Sequence, residues 1–182
     1  MSFSRRQLLL RAFGLATSLA TPLLCQANPL QPHLNAPRLV GQGKFSYWGF
    51  DVYVASLWSD ASALRADQWH TQRLALELNY LRDFEGKAIA KRSIDEMQQQ
   101  SPLPPERARA WASTLEALFP DVRKGQRLTG IYVPGSSAHF LFNDKPLGSI
   151  ADAELAQRFF AIWLAPNTSA PALRQQLLAD KN

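Results

Sequence analysis

Alternating apolar and polar residues characterise two stretches in the first half of the chain. Over Leu39 to Trp58, valines fall on one side and Tyr53 on the other, the period of β-strands. Gly49 predicts a break of this stretch into two strands. Arg73 to Tyr80 alternates more regularly, with leucines on one face, and predicts a third strand with one buried face. Before these strands, Asn28 to Pro37 contains three prolines and predicts an extended lead-in.

The next segment changes to helical spacing. Apolar residues recur every three or four positions from Gly86 to Gln100, which predicts a helix. Along it, Lys91 with Asp95 and Arg92 with Glu96 are i,i+4 pairs of opposite charge. Such pairs are typical of a solvent-exposed helix face.

A second helix is predicted after a proline-rich break. Pro105 suits the first turn of a helix, and Pro120 ends it. Its apolar stripe consists of Ala108, Trp111, Leu115 and Leu118.

The second half of the chain predicts a β-meander followed by two helices. Turn residues separate three strands, Arg127 to Val133, Ala138 to Phe142 and Leu147 to Ile150. A helix capped by Asp152 extends to about Leu164 and is apolar around most of its circumference, so we expect it to be buried on nearly all sides. A short helix from Pro171 to Leu178, with Ser169 as its cap, is the last predicted element.

This order of elements predicts the fold class. Strands, two helices, strands and two helices indicate an α+β domain with one antiparallel sheet covered by helices on one face. The 155 residues from 28 to 182 are enough for one domain, and no linker or repeat divides them.

The first 27 residues have the composition of an export signal. Arg5 and Arg6 precede an apolar stretch of 13 residues, and small residues follow near Ala27. A transmembrane helix needs roughly 20 apolar residues. Because this stretch is shorter and later segments carry charges, we predict no membrane span.

The paired arginines indicate the export route. Ser4-Arg5-Arg6-Gln7-Leu8-Leu9 resembles the twin-arginine motif, so export machinery is an expected partner and the periplasm the expected location. The general secretory route stays open, because leucines stand where that motif commonly has Phe and Lys. We predict cleavage after Ala27, with Ala20 as the competing position.

Charge and cysteine content exclude several classes of function. Three arginines of the signal account for most of the net charge of +5, which is +2 from Asn28 onward, so no basic stripe for nucleic acid remains. The single Cys25 lies within the signal, and the three histidines are far apart, so no metal site is predicted. Gly41-Gln42-Gly43 leads into a strand rather than a helix, and no nucleotide cofactor is expected.

Three stretches together resemble the chalcone isomerase-like family. The first is Leu39-Val40-Gly41-Gln42-Gly43 leading to Val52-Tyr53-Val54-Ala55-Ser56-Leu57-Trp58. The second is Leu76 to Phe84 with the helix through Ile94 and Met97, and the third is Ala161-Ile162-Trp163-Leu164 with Leu177-Leu178. The resemblance covers nearly all of residues 28–182 and implies an open-faced β-sandwich, a sheet layered with helices.

The resemblance also implies two activities. In the plant isomerases, an arginine on the first strand stabilises an enolate while a phenolate oxygen adds to an enone. In related members without catalysis, that arginine and a tyrosine hold a fatty-acid carboxylate in a hydrophobic cleft. Here the resemblance places the tyrosine at Tyr53, but the arginine is missing and Lys44 is the nearest cation. Lysine offers a point charge without the bidentate geometry of a guanidinium.

Four residues are therefore the candidate ligand contacts: Tyr53, Lys44, Tyr80 and Arg92. For each a structural role is the alternative: a solvent-facing Lys44, a core tyrosine, or Arg92 paired with Glu96. The leading hypothesis is a periplasmic protein that binds a small hydrophobic or carboxylate ligand without turnover. An isomerase of an enone-type substrate is the first alternative, and an adaptor that binds a protein through Trp48 or Trp69 is the second. Both a binding protein and an enzyme therefore stay open as functions of these residues.

Overall fold

The structure is a computed structural model and describes residues 29–60 and 64–179. The predicted signal, with Arg5, Arg6 and Ala27, lies outside the described residues. The strands are β1 Arg38–Tyr47, β2 Phe50–Ser59, β3 Leu74–Tyr80, β4 Arg127–Val133, β5 Ser137–Phe142 and β6 Lys145–Ile150. The α-helices are α1 Gly86–Gln100, α2 Pro105–Leu118, α3 Ala153–Leu164 and α4 Pro171–Leu178. Within the described residues, no helix is long and apolar enough to cross a membrane.

The six strands form one antiparallel sheet in chain order, β1 to β6. The predicted α+β class and the predicted break at Gly49 are both confirmed. Trp48 and Gly49 form the β1–β2 turn with φ angles of 49° and 78°. This left-handed backbone is what a two-residue hairpin of the favoured twist requires, and glycine adopts it without strain.

The helices match the predicted segments closely. The Asp152 carboxylate caps α3 by accepting hydrogen bonds from the backbone N–H groups of Glu154 and Leu155. Most of α3 is buried, as its sequence indicates. The predicted cap of α4 is wrong: no side chain caps this helix, because the Ser169 hydroxyl donates instead to Glu96 of α1 at 2.7 Å.

Two glycines on β1 allow α4 to lie directly on the sheet. A methyl group at Gly41 would collide with the backbone carbonyl of Gln176, and one at Gly43 would collide with the side chains of Gln176 and Leu173. The Gly41-Gln42-Gly43 segment therefore has a packing role. It lets α4 pack closely against the first strand.

The opposite face of the sheet carries a smaller core. Leu30 and Leu34 are buried there with Ala75, Ile131 and Leu141. The expectation of an extended lead-in is wrong for residues 29–33, which form a turn closed by a 2.7 Å hydrogen bond from the Leu34 N–H to the Leu30 carbonyl. Burial of two leucines explains why this segment folds back onto the sheet.

Candidate functional site

A cavity of about 290 Å³ lies between β1–β3 of the sheet, α1, α3 and the residues before α4. Its size is at the low end of small-molecule sites, roughly 300–1,000 Å³. Its lining is largely apolar and consists of Phe45, Val52, Tyr53, Leu78, Tyr80, Phe84, Ala88, Ile89, Arg92, Ser93, Glu96, Leu128, Phe159, Ile162, Trp163, Ser169 and Ala170.

Strand register brings an aromatic row to this cavity. Phe45 of β1 lies opposite Tyr53 of β2, which lies opposite Tyr80 of β3. The ring centroids are 5.2 Å apart for the first pair and 6.0 Å for the second, and Phe84 extends the row 5.8 Å beyond Tyr80. We call these four residues the cavity cluster.

The Tyr53 hydroxyl is held by a neighbour on α3. It accepts a 2.9 Å hydrogen bond from the indole N–H of Trp163. Burial raises the pKa of Tyr53 far above its ordinary value. The phenol therefore stays protonated, and among the described residues its own proton has no acceptor.

Tyr80 presents a second phenol in the cavity. The residue is 3% exposed, and its hydroxyl has no hydrogen-bond partner among the described residues. Burial, and then the neighbouring Tyr53, raise the pKa of Tyr80 far above its ordinary value. A hydroxyl on a buried side chain normally has a partner. The unused donor of Tyr80 is therefore available to a ligand.

The charged groups of the cavity are paired with one another. Arg92 forms an ion pair with Glu96, and Ser169 donates to the other carboxylate oxygen of Glu96. Glu96 is only 5% exposed, whereas Arg92 is half-exposed and lies with its guanidinium 5.4 Å from the ring centroid of Tyr47. Arg92 thus lies at the rim, and Glu96 lies inside.

Both predicted i,i+4 pairs of α1 form, but in different surroundings. Lys91 and Asp95 pair at 2.7 Å on the exposed side of the helix. The expectation that this charge run is solvent-exposed fails for Glu96, because that side of α1 faces the cavity and Ser169, which precedes α4. Glu96, Ser169 and Trp163 also line the cavity, and none of them was predicted to do so.

Three of the four candidate ligand contacts come together, and Lys44 does not. Tyr53, Tyr80 and Arg92 line the cavity. Lys44 is not a lining residue, because alternation along β1 gives the cavity side to Phe45. Lys44 instead pairs with Asp51 at 2.8 Å, with about half of its side chain exposed, and this hydrogen bond lowers the pKa of Asp51.

The residues at the cavity offer few chemical options. Two protonated phenols are able to donate hydrogen bonds to a ligand, and the ion pair is internally neutral. In the described part of the chain, no group of three or more His, Cys, Asp or Glu side chains is placed to hold a metal ion. The arrangement suits binding of an apolar molecule with one polar end.

Comparisons with known proteins find a matching family model and a relative of this chain. A family model described as chalcone isomerase-like matches residues 31–179. An uncharacterized protein of Haemophilus influenzae is 30% identical over 139 residues, which are 76% of this chain and 66% of that protein. The chain thus spans slightly less than two thirds of that relative.

A solved structure has the same fold. The crystal structure of an Arabidopsis thaliana fatty-acid binding protein superposes with a TM-score of 0.58 over 79% of this chain and 87% of its own. At 13% identity, this likeness shows the fold alone.

Proposed function

The chain belongs to the chalcone isomerase-like family, and on that premise we propose that it binds a small hydrophobic ligand in the cavity without converting it. The carrying observation is a largely apolar cavity containing the unpartnered Tyr80 hydroxyl. Apolar walls stabilise a ligand by removing its surface from water. A few polar groups then fix its orientation.

The size of the cavity supports a ligand with a modest alkyl or ring system. Its volume of about 290 Å³ suits a medium-length chain better than a long extended one. The fatty-acid binding of the Arabidopsis protein, which shares the fold, supports a chain-like apolar part. We therefore propose a fatty-acid-like apolar portion.

The charges in the cavity support binding over turnover. Isomerisation of an enone needs a positive group preorganised at a developing oxyanion. Arg92 is already paired with Glu96, and Lys44 is bound to Asp51 away from the cavity. The two phenols are protonated and so cannot act as general bases near neutral pH. The isomerase alternative therefore has less support.

An adaptor function is the second candidate, and one feature favours it. At the β1–β2 turn, Tyr47, Trp48 and Phe50 are all more than half exposed, with Trp48 at 83%. Trp69 is buried at 5% and drops out of that hypothesis. Loss of a captured partner in Trp48→Ala, with ligand binding retained, would support the adaptor.

We also propose export to the periplasm. This rests on Arg5 and Arg6 ahead of the apolar stretch and on the small residues at Ala27. Replacement of both arginines by lysine should block export through the twin-arginine route and leave the full-length protein in the cytoplasm. Unchanged periplasmic yield and cleavage would favour the general secretory route.

A blocked cavity tests the binding function. Ser93 is buried, lines the cavity and donates to the Ile89 carbonyl at 2.9 Å. Ser113 is an exposed serine of α2 that donates in the same way to the Arg109 carbonyl at 3.1 Å. Ser93→Leu places extra volume in the cavity, and Ser113→Leu is its matched control.

The measurement is a titration with the uncharged probe N-phenyl-1-naphthylamine, followed by its fluorescence. We expect wild type and Ser113→Leu to bind with equal affinity and Ser93→Leu to bind about tenfold more weakly or worse. Equal binding by all three proteins would show that the probe does not occupy this cavity and would contradict the proposal.

A further inference from the structure

We propose that Glu96 determines ligand specificity, so that the cavity selects an uncharged ligand with a hydrogen-bond acceptor at its polar end and disfavours a carboxylate. The acceptor class is a carbonyl oxygen, as in a ketone or an ester. This inference rests on the proposed binding function and narrows the chemistry of its ligand.

Glu96 is buried in the cavity wall and holds Arg92. Its carboxylate is inside the cavity wall, 5% exposed, and both oxygens are engaged, one by Arg92 and the other by Ser169. Removing one partner of a buried ion pair leaves an uncompensated charge, which is costly. Arg92 is therefore held by Glu96 and is not free for an anionic ligand.

The Arg92–Glu96 ion pair also sets the electric field at the phenol of Tyr53. Burial and then the hydrogen bond from Trp163 affect the pKa of Tyr53 most. Glu96 comes next and raises this pKa, and Arg92 lowers it by a smaller amount. Because Glu96 is buried and Arg92 is half-exposed, water screens the negative end of the ion pair less than the positive end near the Tyr53 hydroxyl. A ligand carboxylate beside this hydroxyl would be repelled by Glu96 and would also lose its hydration.

The two phenols are hydrogen-bond donors that are available to a ligand. Tyr80 offers its proton with no protein acceptor, and the Tyr53 proton is also unused among the described residues. Two neutral donors match the lone pairs of one carbonyl oxygen. Such a head group satisfies the phenols without introducing charge.

The test compares two ligands of equal chain length, decan-2-one and decanoate, at about pH 7.5, where the acid is ionised. Their affinities are measured by displacement of N-phenyl-1-naphthylamine from wild type, Glu96→Gln and Asp95→Asn. Asp95 is the adjacent carboxylate of α1 and pairs with Lys91 at 2.7 Å on the exposed side, so Asp95→Asn removes the same charge away from the cavity.

We expect wild type and Asp95→Asn to bind decan-2-one about tenfold or more tightly than decanoate. In Glu96→Gln, Arg92 loses its partner, so decanoate should gain about tenfold while decan-2-one changes by less than about twofold. Circular dichroism checks that each variant is folded. The wild-type comparison needs no variant and stands even if Glu96→Gln does not fold.

Different failures have different meanings. If wild type binds decanoate as tightly as decan-2-one, the specificity inference is wrong and the binding function stands. If folded Glu96→Gln has the wild-type ratio of decan-2-one affinity to decanoate affinity, the specificity inference is also wrong and the binding function stands. If wild type binds N-phenyl-1-naphthylamine but neither decyl compound displaces it, the chosen ligand class is wrong. If wild type does not bind the probe itself, the proposed binding function fails as well.

Discussion

Two groups of aromatic residues lie on the same helix-covered side of the sheet, but one is closely packed and the other borders the cavity. In what we call the packed cluster, centred on β4, β5 and α3, neighbouring ring centroids are 5.3–5.7 Å apart; its members are Phe119, Tyr132, Phe140, Phe159 and Phe160. The cavity cluster on β1–β3 has similar spacings of 5.2–6.0 Å. The packed cluster encloses a space of only about 10 Å³, and only its Phe159 reaches the cavity. All four rings of the cavity cluster line the cavity of about 290 Å³.

Ring spacing therefore does not decide which region stays open. In the packed cluster, Gly130 gives the Phe160 ring room to rest on the sheet, and four of the five rings are phenylalanines without polar groups. In the cavity cluster, Tyr53 and Tyr80 have hydroxyls, and the facing side of α1 carries Glu96. Polar groups inside a fold need partners, so close apolar packing there would be costly.

The largest expected effect comes from emptying the packed cluster. Phe160 is fully buried, and Phe160→Ala should lower the free energy of unfolding by about 3–5 kcal/mol. Phe45→Ala in the cavity cluster should cost about 1–2 kcal/mol, because Phe45 is only half-buried and borders the cavity. Urea denaturation of both variants measures the difference. Equal losses would mean that the two clusters pack alike.

Overfilling the packed cluster should have the next largest effect. A methyl group at Gly130 would lie 2.9 Å from Phe160 Cζ and 3.3 Å from Phe140 Cε1, so Gly130→Ala should cost about 1–3 kcal/mol. At Gly148 of β6, a methyl group meets only a terminal methyl of Leu118, which can move. Gly148→Ala is the control, with an expected cost below about 1 kcal/mol by urea denaturation. A Gly130→Ala protein as stable as wild type would show that this region has spare volume.

Removing the Tyr53 hydroxyl should have a moderate effect on stability. Tyr53→Phe leaves the buried Trp163 N–H without its acceptor, which should cost about 1–3 kcal/mol. Thermal unfolding, supported by a change in Trp fluorescence, measures this loss. Unaltered stability would mean that the Trp163 N–H finds another acceptor in the cavity.

The smallest effect on stability is expected at Tyr80. Since its hydroxyl has no partner among the described residues, Tyr80→Phe should change the free energy of unfolding by less than about 0.5 kcal/mol. It should nevertheless weaken decan-2-one binding about fivefold, because a ligand hydrogen bond is worth roughly 1 kcal/mol. Displacement titrations measure the affinity. A large loss of stability with full affinity would make Tyr80 a structural residue only.

Much of the fold could be predicted from the sequence, because its signals are local. Strand alternation and helical spacing depend on neighbouring residues, and Pro105, Gly49 and Asp152 mark boundaries by their own backbone or capping chemistry. The prediction that Ser169 caps α4 is wrong because the Ser169 hydroxyl donates to Glu96. Glu96 is distant in the sequence, so local chemistry does not reveal this acceptor.

The cavity depends on long-range contacts that no local pattern contains. Arg92 and Glu96 form the same i,i+4 pair whether that side of α1 faces water or the sheet, so Glu96 was predicted to be exposed. Only the β1–β2 register shows that Phe45, and not Lys44, shares a face with Tyr53. A family resemblance could place Tyr53 but not the ion pair that accompanies it.

The central claim is that the cavity holds a ligand in the cell. Native mass spectrometry of wild type and Ser93→Leu, each purified from cells that express the full-length chain, tests it most directly when followed by organic extraction and mass analysis of the released compounds. We expect wild type to carry one uncharged, apolar compound with a carbonyl oxygen and Ser93→Leu to lack it. A wild-type protein with only its own mass, and an extract no different from that of Ser93→Leu, would contradict the claim.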